Sequence, residues 1–357
     1  MAQEKKVSSF FIIAFLFLLF GLTLIGDVSL VEAERNFGDQ FYFLKKQLSW
    51  ALLGMGLFLV GAKINYCFWQ KLALPLFALS LFPLALVLLP SFGQVIGGAK
   101  RWLTIGSIGF QPSELVKFSL ILYMAALLSK REINFKQLLL VLILPIGLTV
   151  LEPDFGTSVI MVVIALSVWF LSGTPLKKIV LPSLFFLTLG ISLIYISPYR
   201  RARVIGMINP LADPQGKSYH SYQLTLALGS GGLWGVGMGQ SRQKYQYLPH
   251  VTTDSIMAVV GEEFGLVGIS FVLLAFLAMI WSGFRISFFA KDPFARLFTG
   301  GVLTWLAVQG LVNFSVVAVV LPLTGVPFPL VSYGGSSLVL TLFSLGIIYN
   351  IWQCQGK

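Results

Sequence analysis

Charge is what this sequence lacks most. Asp, Glu, Lys and Arg make up 11% of its 357 residues, against about 25% in a soluble domain, which excludes a water-soluble enzyme and a disordered chain. Histidine is nearly absent: His220 and His250 are the only two, and there is no H-E-x-x-H or G-x-S-x-G segment. Zinc hydrolysis and Ser-His-Asp chemistry are therefore not expected. Gly216-Lys217-Ser218 mimics the end of a P-loop, but Leu211 stands where its first glycine belongs, and the glycines from Gly229 to Gly239 lack G-x-G-x-x-G spacing. Cys67 and Cys354 are too few for a disulfide framework and have no metal-ligating company. No repeat, low-complexity tract or soluble domain breaks the chain, so residues 1–357 read as one domain.

What fills the chain is apolar, 57% of it. A spanning helix takes about 20 residues, and ten runs qualify: 10–26, 48–64, 72–90, 114–128, 137–151, 157–172, 178–197, 256–282, 297–320 and 336–352. The expected fold is an all-α polytopic membrane protein of about ten transmembrane helices with one long extracellular loop, about 198–253. The first run is longer than a signal-peptide core and reads as a retained helix. Basic residues mark alternate short connections: Lys63 and Lys71, then Lys130, Arg131 and Lys136, then Lys177 and Lys178, then Arg285, Lys291 and Arg296. With Lys5, Lys6 and Lys357 they assign that side, and both termini, to the cytoplasm. The net charge of +11 is scattered at the ends of apolar runs, which fits topology and an anionic lipid-linked ligand and argues against nucleic acid.

Fourteen acidic residues remain to be weighed. Glu114, Glu152, Asp154, Asp254, Glu262 and Glu263 sit at the ends of apolar runs or inside them, where a charge is expensive and usually functional. Asp254 opens the eighth run, either as a helix N-cap or as a working carboxylate. In one continuous helix it shares a face of small side chains with Met257, Ala258, Gly261 and Gly265, while Glu262 and Glu263 point elsewhere and would hold neighbouring segments. Glu114 and Lys117 have the i,i+3 spacing of a local ion pair. Asp154 or Thr157 would cap the seventh helix. Lys100-Arg101-Trp102 and Tyr199-Arg200-Arg201-Ala202-Arg203 are either snorkelling anchors or a grip for pyrophosphate. The long loop adds Lys217, Arg242 and Lys244. Tyr333-Gly334-Gly335-Ser336-Ser337 reads as a re-entrant turn into the last helix.

Taken in order, Gln111-Pro112-Ser113-Glu114, Pro153-Asp154-Phe155-Gly156-Thr157, Tyr199-Arg200-Arg201 with Asp213-Pro214, Gly229-Ser230-Gly231-Gly232-Leu233-Trp234-Gly235, Leu248-Pro249 with Thr253-Asp254, Gly261-Glu262-Glu263-Phe264-Gly265 and Leu330-Val331-Ser332-Tyr333-Gly334-Gly335-Ser336-Ser337 resemble the SEDS family (shape, elongation, division and sporulation), the FtsW/RodA proteins. The Arg-rich segment and the glycine-rich approach to Leu248 look closer to the division branch. Two departures stand out. The family commonly has Glu-Ala-His-Thr-Asp-Phe where this chain has His250-Val251-Thr252-Thr253-Asp254-Ser255, and its usual Gln before Pro-Asp is here Glu152.

The resemblance implies a ten-helix peptidoglycan glycosyltransferase polymerising lipid II outside the bacterial cytoplasmic membrane. It implies a class B penicillin-binding protein as partner, among other divisome or elongasome membrane proteins. The family's essential carboxylate matches Asp254. Lys100, Arg101, Glu114, Lys117, Asp154, Arg200, Arg201, Arg203, Lys217, Lys244, Ser332, Tyr333, Gly334 and Ser336 are the residues expected to meet the substrate. No cofactor is assigned; a divalent cation, Mg or Mn, is one further way to neutralise the pyrophosphate, and its ligands stay unassigned. A lipid II flippase is the competing reading, for which coupling groups near the bilayer midplane and repeated halves would be expected.

Overall fold

The structure, a computed structural model, describes residues 2–96, 99–106, 108–245 and 248–355. Lys357, one of the topology-setting cations, lies outside the described residues. The chain opens with α1 (Ala2–Val28), turns through the amphipathic α2 (Leu30–Phe37) and returns in α3 (Tyr42–Lys63). Asn65 caps α4 (Tyr66–Val87), accepting from the Cys67 N–H. Three short strands follow, β1 (Gly93–Ile96), β2 (Ala99–Ile105) and β3 (Ile108–Phe110), paired antiparallel in that order. Next come α5 (Pro112–Leu128), α6 (Phe135–Leu151), α7 (Phe155–Leu171) and α8 (Leu176–Ile196). The long connection holds α9 (Pro198–Ile208) and α10 (Tyr219–Gly231), after which α11 (Ile256–Phe289), α12 (Pro293–Val317) and α13 (Gly335–Gln355) close the bundle.

Nine of the ten expected runs are each one helix, and the other, 256–282, lies in α11, which is broken at Gly265. Seven of them, α1, α3, α4, α8, α11, α12 and α13, are long and apolar enough to cross a membrane. α6 and α7 are shorter apolar helices of 17 residues, and α5, of equal length, carries Glu114 and Lys117. Lipid explains the exposed surface: α8 turns Leu181, Leu187 and Ile191 outward and buries almost nothing. α12 sits at the centre, with Phe294, Phe298, Trp305 and Leu306 fully buried.

Close approach of α3 and α13 depends on missing side chains. A Cβ on Gly61 would lie 2.9 Å from the Ile347 nitrogen, and one on Gly346 would overlap the Phe58 carbonyl. Small residues let helix backbones meet where lipid supplies no hydrophobic drive. Gly346→Ala is therefore expected to cost about 1–3 kcal/mol, read as a lower unfolding temperature in detergent, whereas Gly56→Ala, which meets only open space, should unfold with the parent.

α11 is not the continuous helix the spacing predicts. Gly265 takes φ 66° and ψ −168°, dividing a short segment, 256–264, from the long one, 266–289. The freed backbone groups are recovered by the glycine-rich strand: Val236 and Gly237 N–H donate to the Glu262 and Glu263 carbonyls, and Leu266 and Val267 N–H donate to those of Gly232 and Leu233. A side chain on Gly235 or Gly265 would collide with the crossing backbone. Broken helices are tolerated in membrane proteins when protein satisfies the exposed peptide groups. Glu262 and Glu263 hold the same crossing. Glu262 accepts from the Ser241 hydroxyl and from Arg242 and Gln243 N–H, while Glu263 accepts from Ser241 N–H and pairs with Lys244.

Candidate active site

The turn that carries Asp254 spans 250–255, between the long connection and α11. His250 adopts φ 52°, an uncommon conformation for a residue with a side chain, so the turn needs external restraint. It has three. Tyr333 N–H donates to the Thr252 carbonyl at 2.9 Å. Asn313 of α12 donates through Nδ2 to the Asp254 carbonyl at 2.8 Å and to the Val326 carbonyl at 2.9 Å. His220 of α10 meets Ser255 Oγ at 2.8 Å.

Asp254 is not a helix cap. The α11 cap position is Ser255, which makes no side-chain cap bond. The Asp254 carboxylate accepts from the Thr253 hydroxyl at 2.9 Å and is 8% exposed. It attracts Arg203, whose pKa burial lowers while the Tyr199 phenol and Asp254 act in the opposite sense; an arginine starting so far above neutrality stays charged.

Arg203 is one of three arginines on a cavity of about 210 Å³, with Arg101 from β2 and Arg200 from α9. Each is aimed by its surroundings. Arg203 donates to the Leu323 carbonyl at 2.7 Å and stacks over Tyr199 at 4.6 Å. Arg200 donates to the Leu193 carbonyl at 3.2 Å and lies over Phe155 at 5.3 Å. Arg101 donates to the Pro153 carbonyl and faces Asp154 at 3.8 Å. Asp154 also caps α7, accepting from the Thr157 hydroxyl at 2.8 Å and its N–H at 3.3 Å, so cap and cation anchor are one residue. Phe155, Val159 and Ile194 are shared with a larger apolar groove of about 530 Å³ between α6, α7 and α8. The cationic pocket and the apolar groove are thus adjacent, with these three side chains as their common wall.

The other expected contacts lie elsewhere. Arg201, next to Arg200, turns over Tyr195 outside the cavity. Lys100 is half-buried on β2 and Lys217 is exposed; neither lines the cavity. Glu114 and Lys117 are buried and pair at 2.7 Å, Lys117 also donating to Gln309 at 2.8 Å. They brace α5 against α12 and do not line the cavity. Lys244 is spent on Asp27 at 3.0 Å and Glu263 at 3.4 Å. Ser332 and Ser336 hydroxyls accept from Phe328 and Gln111 N–H, and Gly334 N–H donates to Gln47. With Tyr333 bonded to Thr252, this loop is a strut for the Asp254 turn; it does not line the cavity. Among the described residues no group of three or more His, Cys, Asp or Glu side chains is placed to hold a metal, and Asp154 is already engaged. Among the described residues the donor set does not make a divalent-cation site.

Asn313, His220 and Gln309 escaped the sequence reading. An amide inside an apolar run was the available signal for Asn313 and Gln309; nothing in the sequence brings His220 to Asp254.

Glu152, in the turn between α6 and α7, is fully buried with neither carboxyl oxygen bonded. Burial, with Asp154 adding to it, pushes its pKa up to about 9, Arg101 acting the other way. At neutral pH it is a neutral acid, similar in shape and polarity to the Gln that the family commonly has there. The folded state holds this proton more tightly than the unfolded chain, so stability falls as pH rises from about 4.5 toward 9. Glu152→Gln is expected to flatten that slope, gaining ~3 kcal/mol over the parent at pH 7 and almost nothing at pH 4.5. Parallel unfolding curves of the two proteins across this range would refute the assignment.

These features define a class: a multi-pass membrane protein with a buried carboxylate, Asp254, within electrostatic reach of an arginine-lined cavity that shares a wall with an apolar groove. The chain belongs to the FtsW/RodA/SpoVE family, described as "Cell cycle protein", whose pattern it matches over residues 7–356. It is 39% identical to a probable peptidoglycan glycosyltransferase FtsW of Geobacter sulfurreducens, covering 93% of this chain and 91% of the relative. It is 34% identical to the stage V sporulation protein E of Bacillus subtilis, covering 95% of each. Among solved structures, a peptidoglycan synthase complex that coordinates polymerization and crosslinking superposes with a TM-score of 0.77 at 28% identity, over 95% of this chain and 97% of the other. RodA of Thermus thermophilus gives 0.72 at 27% identity over 98% and 97%.

Proposed function

We propose that this protein is a peptidoglycan glycosyltransferase that polymerises lipid II into β-1,4 glycan strands at the outer face of the bacterial cytoplasmic membrane, in division or shape maintenance, with a class B penicillin-binding protein as its crosslinking partner. The observation that carries the reading is that Asp254 lies within electrostatic reach of Arg203, one of three arginines lining a cavity that shares Phe155, Val159 and Ile194 with an apolar groove. A lipid-linked pyrophosphate has this shape: two negative phosphates at the end of a hydrocarbon tail. The tail lies along α7 and α8, and Arg101, Arg200 and Arg203 meet the phosphates.

The chemistry is a single displacement. The acceptor 4-hydroxyl oxygen attacks the donor anomeric carbon as Asp254 takes its proton. The bond from that carbon to the pyrophosphate oxygen breaks, its electron pair leaving with the pyrophosphate, whose growing charge the arginines neutralise. One displacement turns an α-linked donor into a β-linked product. In this reading the loop-rich end faces outward and both termini face the cytoplasm, an orientation supported by the alternation of basic connections.

Labelled lipid II in liposomes containing the protein and its partner separates this from translocation. Glycan chains longer than the disaccharide are expected. Lipid II crossing the bilayer with no chain growth would establish the flippase reading instead.

A further inference from the structure

We infer that His220 is a positioning residue for Asp254, acting through the hydroxyl of Ser255. The inference rests on the glycosyltransferase reading and adds a residue to it. Asp254 is held at its carbonyl by Asn313, and its carboxylate takes one hydrogen bond from its neighbour Thr253. Neither contact fixes the far side of the turn, where the chain passes into α11. That side is fixed by Ser255. Its hydroxyl donates to the Pro249 carbonyl at 3.2 Å, which uses its one proton, so at 2.8 Å from His220 Nε2 it accepts from a neutral imidazole protonated on Nε2. The turn is thereby closed on itself and tied to α10.

The surroundings keep that imidazole neutral. Burial lowers its pKa to about 4, with Asp254 opposing and His250 and Arg203 adding to the shift. A charged imidazole here would compete with Arg203 for Asp254 and weaken the carboxylate as a base; a neutral one holds the turn and leaves the carboxylate to the substrate. Sequence context fits. Position 255 is commonly Phe in the family pattern, and the serine gives His220 its partner. The usual histidine two residues before the Asp is Thr252 in this chain, so the imidazole at that position is absent while α10 brings His220 to Ser255.

The test compares His220→Ala, His220→Gln, Ser255→Ala and Asp254→Asn in the full chain with its partner, measuring kcat and KM for lipid II polymerisation. Residues that orient a reacting group through another typically change activity about 10- to 100-fold. His220→Ala and Ser255→Ala are expected to lower kcat by that factor with KM within about twofold, and the double variant should be no worse than the weaker single one. His220→Gln, whose amide N–H reaches the same hydroxyl, should recover most of the rate. Full activity in Ser255→Ala, a KM effect alone, or His220→Gln as defective as His220→Ala would overturn the inference. Ser255→Ala removes one oxygen and keeps the test alive if His220→Ala fails to fold. If Asp254→Asn polymerises normally, the glycosyltransferase reading of Asp254 is what fails.

Discussion

Asp254→Asn should abolish all but about 1% or less of polymerisation while the protein folds and unfolds like its parent. The size follows from general-base help, worth about 10²- to 10⁴-fold; an amide cannot take the proton. The intact fold follows from the local bonding. Asparagine keeps a side-chain oxygen for the Thr253 hydroxyl, and the Asn313 bond is to the backbone carbonyl, which the change leaves alone. No helix cap is lost, because Ser255 occupies that position. Chain growth is read by gel separation of labelled glycan, folding by thermal unfolding in detergent. Asp254→Glu supplies a second reading: the same acid, one methylene further out, should retain part of the rate. Polymer yield from Asp254→Asn equal to the parent's would remove Asp254 from the reaction.

The helices were legible because hydropathy is a one-dimensional signal. Some apolar runs open on capping residues, such as Asn134 and Gln137, which form a reciprocal capping box at the start of α6. The site was legible in part. Asp254 and the arginine segment stand out as charges in a sequence that has few. Arg200 and Arg201 are equivalent in the sequence, and only helical phase and a neighbouring ring decide which one reaches the cavity. The break in α11 was hidden for a related reason. Gly261-Glu262-Glu263-Phe264-Gly265 fits an uninterrupted helix by composition. What bends it is the distant segment 232–237, whose backbone substitutes for the lost helical bonds. The sheet at 93–110 is short, and its alternation is too brief to compete with the apolar runs around it. Glu152 shows the converse, a departure from the family pattern that burial renders chemically quiet by keeping the acid protonated.

The difference between Arg200 and Arg201 gives the second large effect. Arg203→Gln and Arg200→Gln should each lower kcat by about 100-fold, the scale found when one preorganised stabiliser of developing negative charge is removed, about 3 kcal/mol. Arg201→Gln should stay within about twofold of the parent, since Arg201 stacks on an exposed tyrosine outside the cavity. Arg203→Lys distinguishes charge from geometry. Lysine restores the positive charge but not the planar fork that bonds the Leu323 carbonyl while lying over Tyr199, so partial recovery is expected. Arg203 is half-buried, so raising ionic strength should weaken capture of the lipid-linked substrate more than it slows the chemical step. Equal losses at positions 200 and 201 would mean that the segment acts as a diffuse basic patch, and the cavity would lose its claim to the pyrophosphate.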